Sequence, residues 1–243
     1  SAPHPLAGIM KIQGVLFDKD GTLIDVNATW VPIYREALKQ LFATDDQGAE
    51  TLMEVAGYDR TTGKLKAGSP LAGGTNREIA AIWWPHLTGA ALDDHLEKLE
   101  HRFALMVRDK LVPLMPLEPI LSDLRAMGLK LGVATNDSHL SARAHMTEVG
   151  VIEHFDDIIA ADTVPVAKPA GNMIRRFADL TGLPAAAIAM VGDNHHDMEE
   201  ARNGGAGLAI AVLSGNAGRE DIAHLADYTI DSVADLPALL RSL

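Results

Sequence analysis

The chain has no cysteine among its 243 residues. That removes a disulfide frame, a thiolate nucleophile and a Cys-ligated metal together, and it suits a reducing compartment, so a cytoplasmic location is expected. Positive charge is also scarce: 21 Lys and Arg stand against 33 Asp and Glu, for a net charge of −12. Wrapping nucleic acid or lying on an anionic membrane needs an extended basic patch, so neither partner is expected. A small anionic metabolite remains compatible, because a few positive groups and a metal reverse the sign locally. No apolar run approaches the length of a membrane span. The first ten residues, SAPHPLAGIM, lack the basic head and long apolar stretch of a secretory leader. There is no internal repeat or low-complexity tract.

What the chain does have is a regular alternation. Short apolar runs at 12–17 (IQGVLF), 129–134, 158–161, 187–191 and 208–212 are separated by helix-like segments at 117–127, 138–149, 170–180 and 195–204. Strands this short and apolar, with helices between them, predict a parallel sheet covered on both faces: a Rossmann-like three-layer α/β core. Asp137 or Ser138 is placed to cap the second of those helices. A last strand is expected at 227–230, with a helix from Ser232.

Residues 25–111 break the alternation. Helical patterns at 30–41, 47–56, 76–84 and 91–106 predict an all-helical cap inserted after the first strand, with the Gly-rich 57–74 as a long loop or a very short hairpin. The division expected is a core of residues 1–24 and 113–243 and a cap of residues 25–112. An insert at that point sits over the carboxyl ends of the strands, where open α/β sheets bind ligands.

Four clusters fall at those strand ends: Asp18-Lys19-Asp20-Gly21-Thr22, Thr135-Asn136, Lys168-Pro169 and Gly192-Asp193-Asn194-His195-His196-Asp197. Alone, each reads as a turn, a helix cap, a loop lysine or a surface loop. Together, on parallel neighbouring strands, they put four acids, a hydroxyl, an amide and an ammonium around one pocket. Acids so gathered need a cation, and oxygen-only donors point to Mg²⁺. Phosphoryl transfer uses such a set: Asp18 as nucleophile, and Asp20 to protonate the leaving oxygen and later deprotonate water. Lys168, Thr135 and backbone amides near Gly21 and Asn136 are placed to hold the phosphoryl oxygens.

These motifs, in this order, resemble those of the haloacid dehalogenase superfamily, with Gly14-Val15-Leu16-Phe17 as the strand before the first. The resemblance covers nearly the whole chain and is nearest to the phosphoglycolate phosphatase group and its sugar-phosphatase relatives. It implies Asp18 as nucleophile and Mg²⁺ ligand, Asp20 as acid/base and ligand through its carbonyl, Asp193 as direct ligand, and Asp197 ligating directly or through water. Thr135 and Lys168 would bind the phosphoryl group. An acid at position 20 separates a phosphatase from the dehalogenase branch.

Within the family, a phosphosugar mutase and a phosphonoacetaldehyde hydrolase-like phosphonatase are the alternatives, the latter needing a cap amine such as Lys64 or Lys66. Lys19 stands where an apolar residue is usual and reads as a solvated or salt-bridged lysine. His195 and His196 read as residues of a helix N-terminus. Specificity is expected from the cap, where Asn27, Trp30 and Asn76 are polar candidates and Arg77 and Arg102 suit a carboxylate-bearing substrate. The expected partner is a small phosphorylated metabolite, bound by a monomer or homodimer.

Overall fold

A computed structural model describes residues 10–243. The leader reading made for the first ten residues therefore lies, through residue 9, outside the described residues. Strand β1 (Gly14–Phe17) is buried along its length and ends on a tight turn. In that turn the Lys19 carbonyl accepts from the amides of Thr22, Leu23 and Ile24.

The insert follows. Helix α1 (Val26–Phe42) starts where Asp25 accepts from the Ala28 amide, and α2 (Asp46–Val55) is capped in the same way by Asp45. Strands β2 (Tyr58–Asp59) and β3 (Lys64–Leu65) pair antiparallel, so the insert is not purely helical. Gly57 and Gly63 take positive φ, which lets residues 57–65 double back as the short hairpin. Helix α3 (Pro70–Gly73) leads to α4 (Asn76–Trp83), which carries a Thr75/Glu78 capping box, and then to α5 (Gly89–Met106). These elements share an apolar core of their own, built around Ile33, Leu38, Met53, Leu99 and Phe103.

The chain returns through α6 (Glu118–Ala126) and β4 (Lys130–Thr135), then α7 (His139–Val149), capped by Ser138, and β5 (Asp157–Ala160). It continues with α8 (Asn172–Thr181), β6 (Ile188–Gly192), α9 (His195–Gly204), β7 (Leu208–Val212), α10 (Arg219–Ile222), β8 (Tyr228–Ile230) and α11 (Leu236–Arg241).

The six long-range strands form one parallel sheet in the order β5-β4-β1-β6-β7-β8. Side chains alternate across it. Val15 and Phe17 face a core with Leu121, Leu124 and Met146, from α6 and α7, while Leu16 faces Ile174, Phe177 and Met198, from α8 and α9. The result is a three-layer α/β/α core with a cap-like insertion. No helix among the described residues is long and apolar enough to cross a membrane.

Strand β1 sits between β4 and β6, with Phe17 in register with Val133 on one side and Val191 on the other. The chain leaves β1 with Asp18 still in the sheet, its amide donating to the Val191 carbonyl at 2.8 Å. Three motif-bearing strand ends therefore lie side by side.

Candidate active site

Asp18, Asp193 and Asp197 each present a carboxylate oxygen within 4.8 Å of the others, and all three residues are buried. Lys168 closes the group. Its ammonium donates to Asp18 Oδ1, Asp197 Oδ1 and the Ala134 carbonyl, each at 2.8 Å, which uses all three of its donors.

Burial works to raise the Asp18 carboxyl, but the Lys168 charge and hydrogen bonds outweigh it and hold Asp18 below the usual range. Asp193 goes the other way: burial, then the Asp18 charge beside it, pushes it well up. Burial and the same neighbour push Asp197 up to about 7. Lys168 is kept protonated despite burial by Asp18 and Asp197. One ammonium among three buried acids leaves negative charge uncompensated. An oxygen-only donor set in that state fits a hard divalent cation.

The donors differ in how far they are spent. Asp197 Oδ2 accepts from the amides of Asp193 and Asn194, so with Oδ1 on Lys168 both its oxygens are engaged. Among the described residues, Asp193 accepts a long 3.4 Å contact from Thr22 Oγ1 and otherwise has the Asp18 carboxyl beside it. The Asp20 carbonyl accepts no hydrogen bond among the described residues, whereas its neighbour at Lys19 accepts three.

Gly21 has φ +85°, and a Cβ there would lie 2.2 Å from Asp193 Oδ2. The position thus needs glycine twice over. Its amide, however, donates to the Ile24 carbonyl at 2.8 Å, so it does not offer the phosphoryl donor expected from the sequence.

Thr135 lies buried at the end of β4, its hydroxyl accepting from the Asp137 amide at 3.1 Å. The Asn136 side chain is a brace: it donates to the Lys168 carbonyl and to Gly73 of the cap, and accepts from the Lys168 amide. The Lys168 loop is steadied again from α9, where Glu200 caps the next helix by accepting from the amides of Gly171, Met173 and Ile174.

Asp20 points its carboxylate elsewhere. One oxygen accepts from Trp30 Nε1 at 2.6 Å, and the other pairs with Lys19 at 2.9 Å. Burial raises it, Lys19 opposes and Asp137 adds. Lys19 is salt-bridged and fully buried, not solvated. His195 and His196 lie with ring centroids 4.0 Å apart and planes tilted by 36° at the start of α9, outside the acid cluster.

Between cap and core lies a cavity of about 30 Å³, lined by Asp18, Asp20, Thr135, Asn136 and Lys168 below. The cap covers it with Trp30, Tyr34, Leu71, Asn76 and Ile79, and contributes no charged side chain to its wall. The structure does not bring Arg77 and Arg102 there. Arg77 pairs with Asp93 on α5 and Arg102 with Gln40 on α1, both turned to the outside of the cap. Those acceptors lie on neighbouring helices, and the arginines follow them. Lys64 and Lys66 line a separate depression beside Gly215.

The sequence reading missed the loop after β7. Ser214 Oγ donates to the Gly21 carbonyl, a Cβ on Gly215 would lie 2.0 Å from Asp193 Oδ2, and Asn216 binds Asn27 and the Leu65 carbonyl of the cap. The run Ser-Gly-Asn at the end of another parallel strand was the signal.

Fold and site together define a hydrolase that works through carboxylates clustered at the carboxyl end of a parallel sheet. Residues 12–205 match the family model for haloacid dehalogenase-like hydrolases, and the chain belongs to that family, within its phosphoglycolate-phosphatase-like group. It is 30% identical over 234 residues to a phosphoglycolate phosphatase of Caulobacter vibrioides, covering 92% of this chain and 88% of that one. It is 24% identical to the pyrophosphatase PpaX of Bacillus mycoides, covering 96% and 99%. Its fold is similar to that of CbbY from Rhodobacter sphaeroides in complex with phosphate, with a TM-score of 0.69 and 22% identity over 93% of this chain and 96% of that one. The chain is an enzyme of the phosphatase type, with an aspartate cluster suited to a divalent metal.

Proposed function

We propose that the chain hydrolyses a small phosphate monoester with Mg²⁺, by way of a phosphoryl group carried on Asp18. The observation that carries this is the place of Asp18: at the end of the central strand, ionised beside Lys168 and within reach of Asp193. A carboxylate so held is a nucleophile.

Asp18 Oδ attacks phosphorus and the ester P–O bond breaks, while Asp20 gives its proton to the departing oxygen. Asp20, now a carboxylate, takes a proton from water as that water attacks the phosphorus of the acyl phosphate. Inorganic phosphate leaves and Asp18 is restored. The Thr135 hydroxyl and the Asn136 backbone amide hold the phosphoryl oxygens as charge shifts onto them, with the Lys168 ammonium supplying positive charge beside Asp18 rather than a free donor. Asp18, Asp193 and the Asp20 carbonyl would hold the Mg²⁺, with Asp197 acting through water because its oxygens are already engaged. When bound, the metal neutralises the acids and draws charge from the phosphoryl oxygens.

In this reading residues 25–112 are a lid over a core of 1–24 and 113–243. The cavity has room for about two waters, so substrate enters when the cap swings away. The enzyme is taken to be cytoplasmic, as a monomer or homodimer.

The Caulobacter relative makes phosphoglycolate the first substrate to assay. One observation favours a second reading. With no cationic cap group on the cavity wall, a neutral sugar phosphate suits the pocket better than a carboxylate-bearing substrate. The same wall has no cap lysine for the Schiff base that a phosphonatase needs.

The test is phosphate release from phosphoglycolate, sugar phosphates and a phosphonate, with Mg²⁺ and with EDTA, for wild type and Asp18→Asn. Release from a monoester that is lost with EDTA, and lost in a folded Asp18→Asn, supports the reading. Undiminished turnover by Asp18→Asn overturns it.

A further inference from the structure

Lys19 is the unusual residue of the first motif, and its surroundings are complete. Its ammonium meets Asp20 Oδ2 at 2.9 Å, Asp137 Oδ2 at 2.9 Å and His145 Nδ1 at 2.8 Å. Three donors meet three acceptors, so none is left for a substrate.

His145 serves as an acceptor because it is neutral: burial, with the Lys19 charge beside it, pushes it down to about 3. With Nδ1 accepting, Nε2 carries the hydrogen and faces Ser141 Oγ at 3.3 Å. The Trp30 ring centroid lies 5.3 Å from Lys19 Nζ. A buried lysine between two carboxylates is weak evidence for stability, since an apolar side chain commonly does as well. What the arrangement fixes is direction: it sets where the Asp20 carboxyl points.

The same network reaches the cap. Asp137 turns its other oxygen to Asn76 Nδ2, at 3.1 Å, on the first turn of α4. Asp20 likewise turns its second oxygen to Trp30 of α1. Asn76 belongs to the cavity wall, so the lid motion proposed above would part Asn76 from Asp137 on opening and restore the contact on closing.

We propose that Lys19 is a positioning residue for Asp20, and that the relay Asn76–Asp137–Lys19 sets the Asp20 carboxyl for proton transfer when the cap is closed. This rests on the role given to Asp20 above. An enclosed substrate then finds the acid in place, whereas bulk water at an open site does not. Neither Lys19 nor Asn76 touches the reacting atoms in this scheme; both act through Asp20.

The test separates the two halves of the reaction. p-Nitrophenyl phosphate loses a leaving group that needs no proton, so Asp18 can be phosphorylated without Asp20, but release of phosphate from Asp18 still needs it. Rapid-mixing traces of nitrophenolate release at saturating Mg²⁺ are compared for wild type, Asp20→Asn, Lys19→Met and Asn76→Ala. The expected result for Lys19→Met is a burst of about one nitrophenolate per site at near wild-type rate, then steady turnover lowered by about tenfold or more. Asn76→Ala is expected to show the same pattern with a loss of roughly threefold.

A burst and steady rate that fall together show a general structural role and overturn the proposal, as does unchanged steady turnover in both variants. If Lys19→Met does not fold, as judged by circular dichroism, Asn76→Ala decides alone. Asp20→Asn distinguishes the two levels: if it turns over normally, the role of Asp20 itself fails. If it shows the burst while the other two behave as wild type, only the relay fails.

Discussion

Three buried carboxylates around one ammonium are held apart in character by small differences of contact. Asp18 has the lysine and stays ionised; Asp193 has little but its acidic neighbours and is pushed up. His145 offers a sharper test at this scale. Burial lowers it from 6.5 to about 3, so below pH 6.5 the unfolded chain takes up a proton that the folded chain refuses. The sign follows: this group's share of stability is intact above pH 6.5 and is lost as pH falls toward 3, at about 1.4 kcal/mol per unit. Urea unfolding at pH 7 and pH 5 is expected to show a larger loss for wild type than for His145→Asn, whose amide oxygen can still accept from Lys19. Equal losses contradict the assignment.

Much of the acid cluster was legible at this scale, because acids at the ends of apolar runs have few other reasons to recur. The Lys19 network was not. Its partners Asp137, His145 and Asn76 lie 118, 126 and 57 positions away, and no local pattern marks a lysine for complete burial.

Among the elements, the helices that matter most for the site are those that fix loops rather than those that line the cavity. Helix α9 sends Glu200, fully buried, to the start of α8, where it accepts from three backbone amides at 2.6 to 3.3 Å. That closes the loop carrying Lys168. Glu200→Ala leaves those amides buried without an acceptor and is expected to cost about 2–4 kcal/mol in a urea titration, with Glu200→Gln costing less. It is also expected to reduce turnover more than a cap-core truncation of equal cost such as Leu99→Ala, because it frees Lys168. A Glu200→Ala variant with full stability and activity contradicts this role.

The core strands and helices α6 to α9 were readable to within one or two residues, since buried parallel strands are short apolar runs between capped helices, whereas α10 was not foreseen and α11 begins four residues after the expected Ser232. The hairpin of β2 and β3 was only half legible. Two paired residues on each side leave no alternation to read, and glycines alone serve a loop equally well.

Across the whole molecule, the division of labour is between a sheet that supplies acids and a cap that supplies enclosure. The cap meets the core where α5 packs on α7 and through Trp30 on Asp20, Asn76 on Asp137, Asn136 on Gly73, and Asn216 on Asn27 and Leu65. These hydrogen bonds are suited to breaking and reforming, while the main apolar cores of cap and sheet form separate clusters. Where the cap would stand was legible from the broken alternation. Of the cap residues singled out in the sequence, Trp30 and Asn76 line the cavity, while Arg77 and Arg102 do not, because their outward turn is decided by Asp93 and Gln40 on other helices.

The proposed function makes Asp18 the group that carries the phosphoryl. The most direct measurement is to quench the enzyme in acid during turnover of its best monoester with Mg²⁺, reduce with borohydride and sequence the peptides by mass spectrometry. A phosphorylated aspartate is reduced to homoserine, and the account predicts homoserine at position 18. Turnover with residue 18 unmodified, or homoserine at another acid of the cluster, contradicts it.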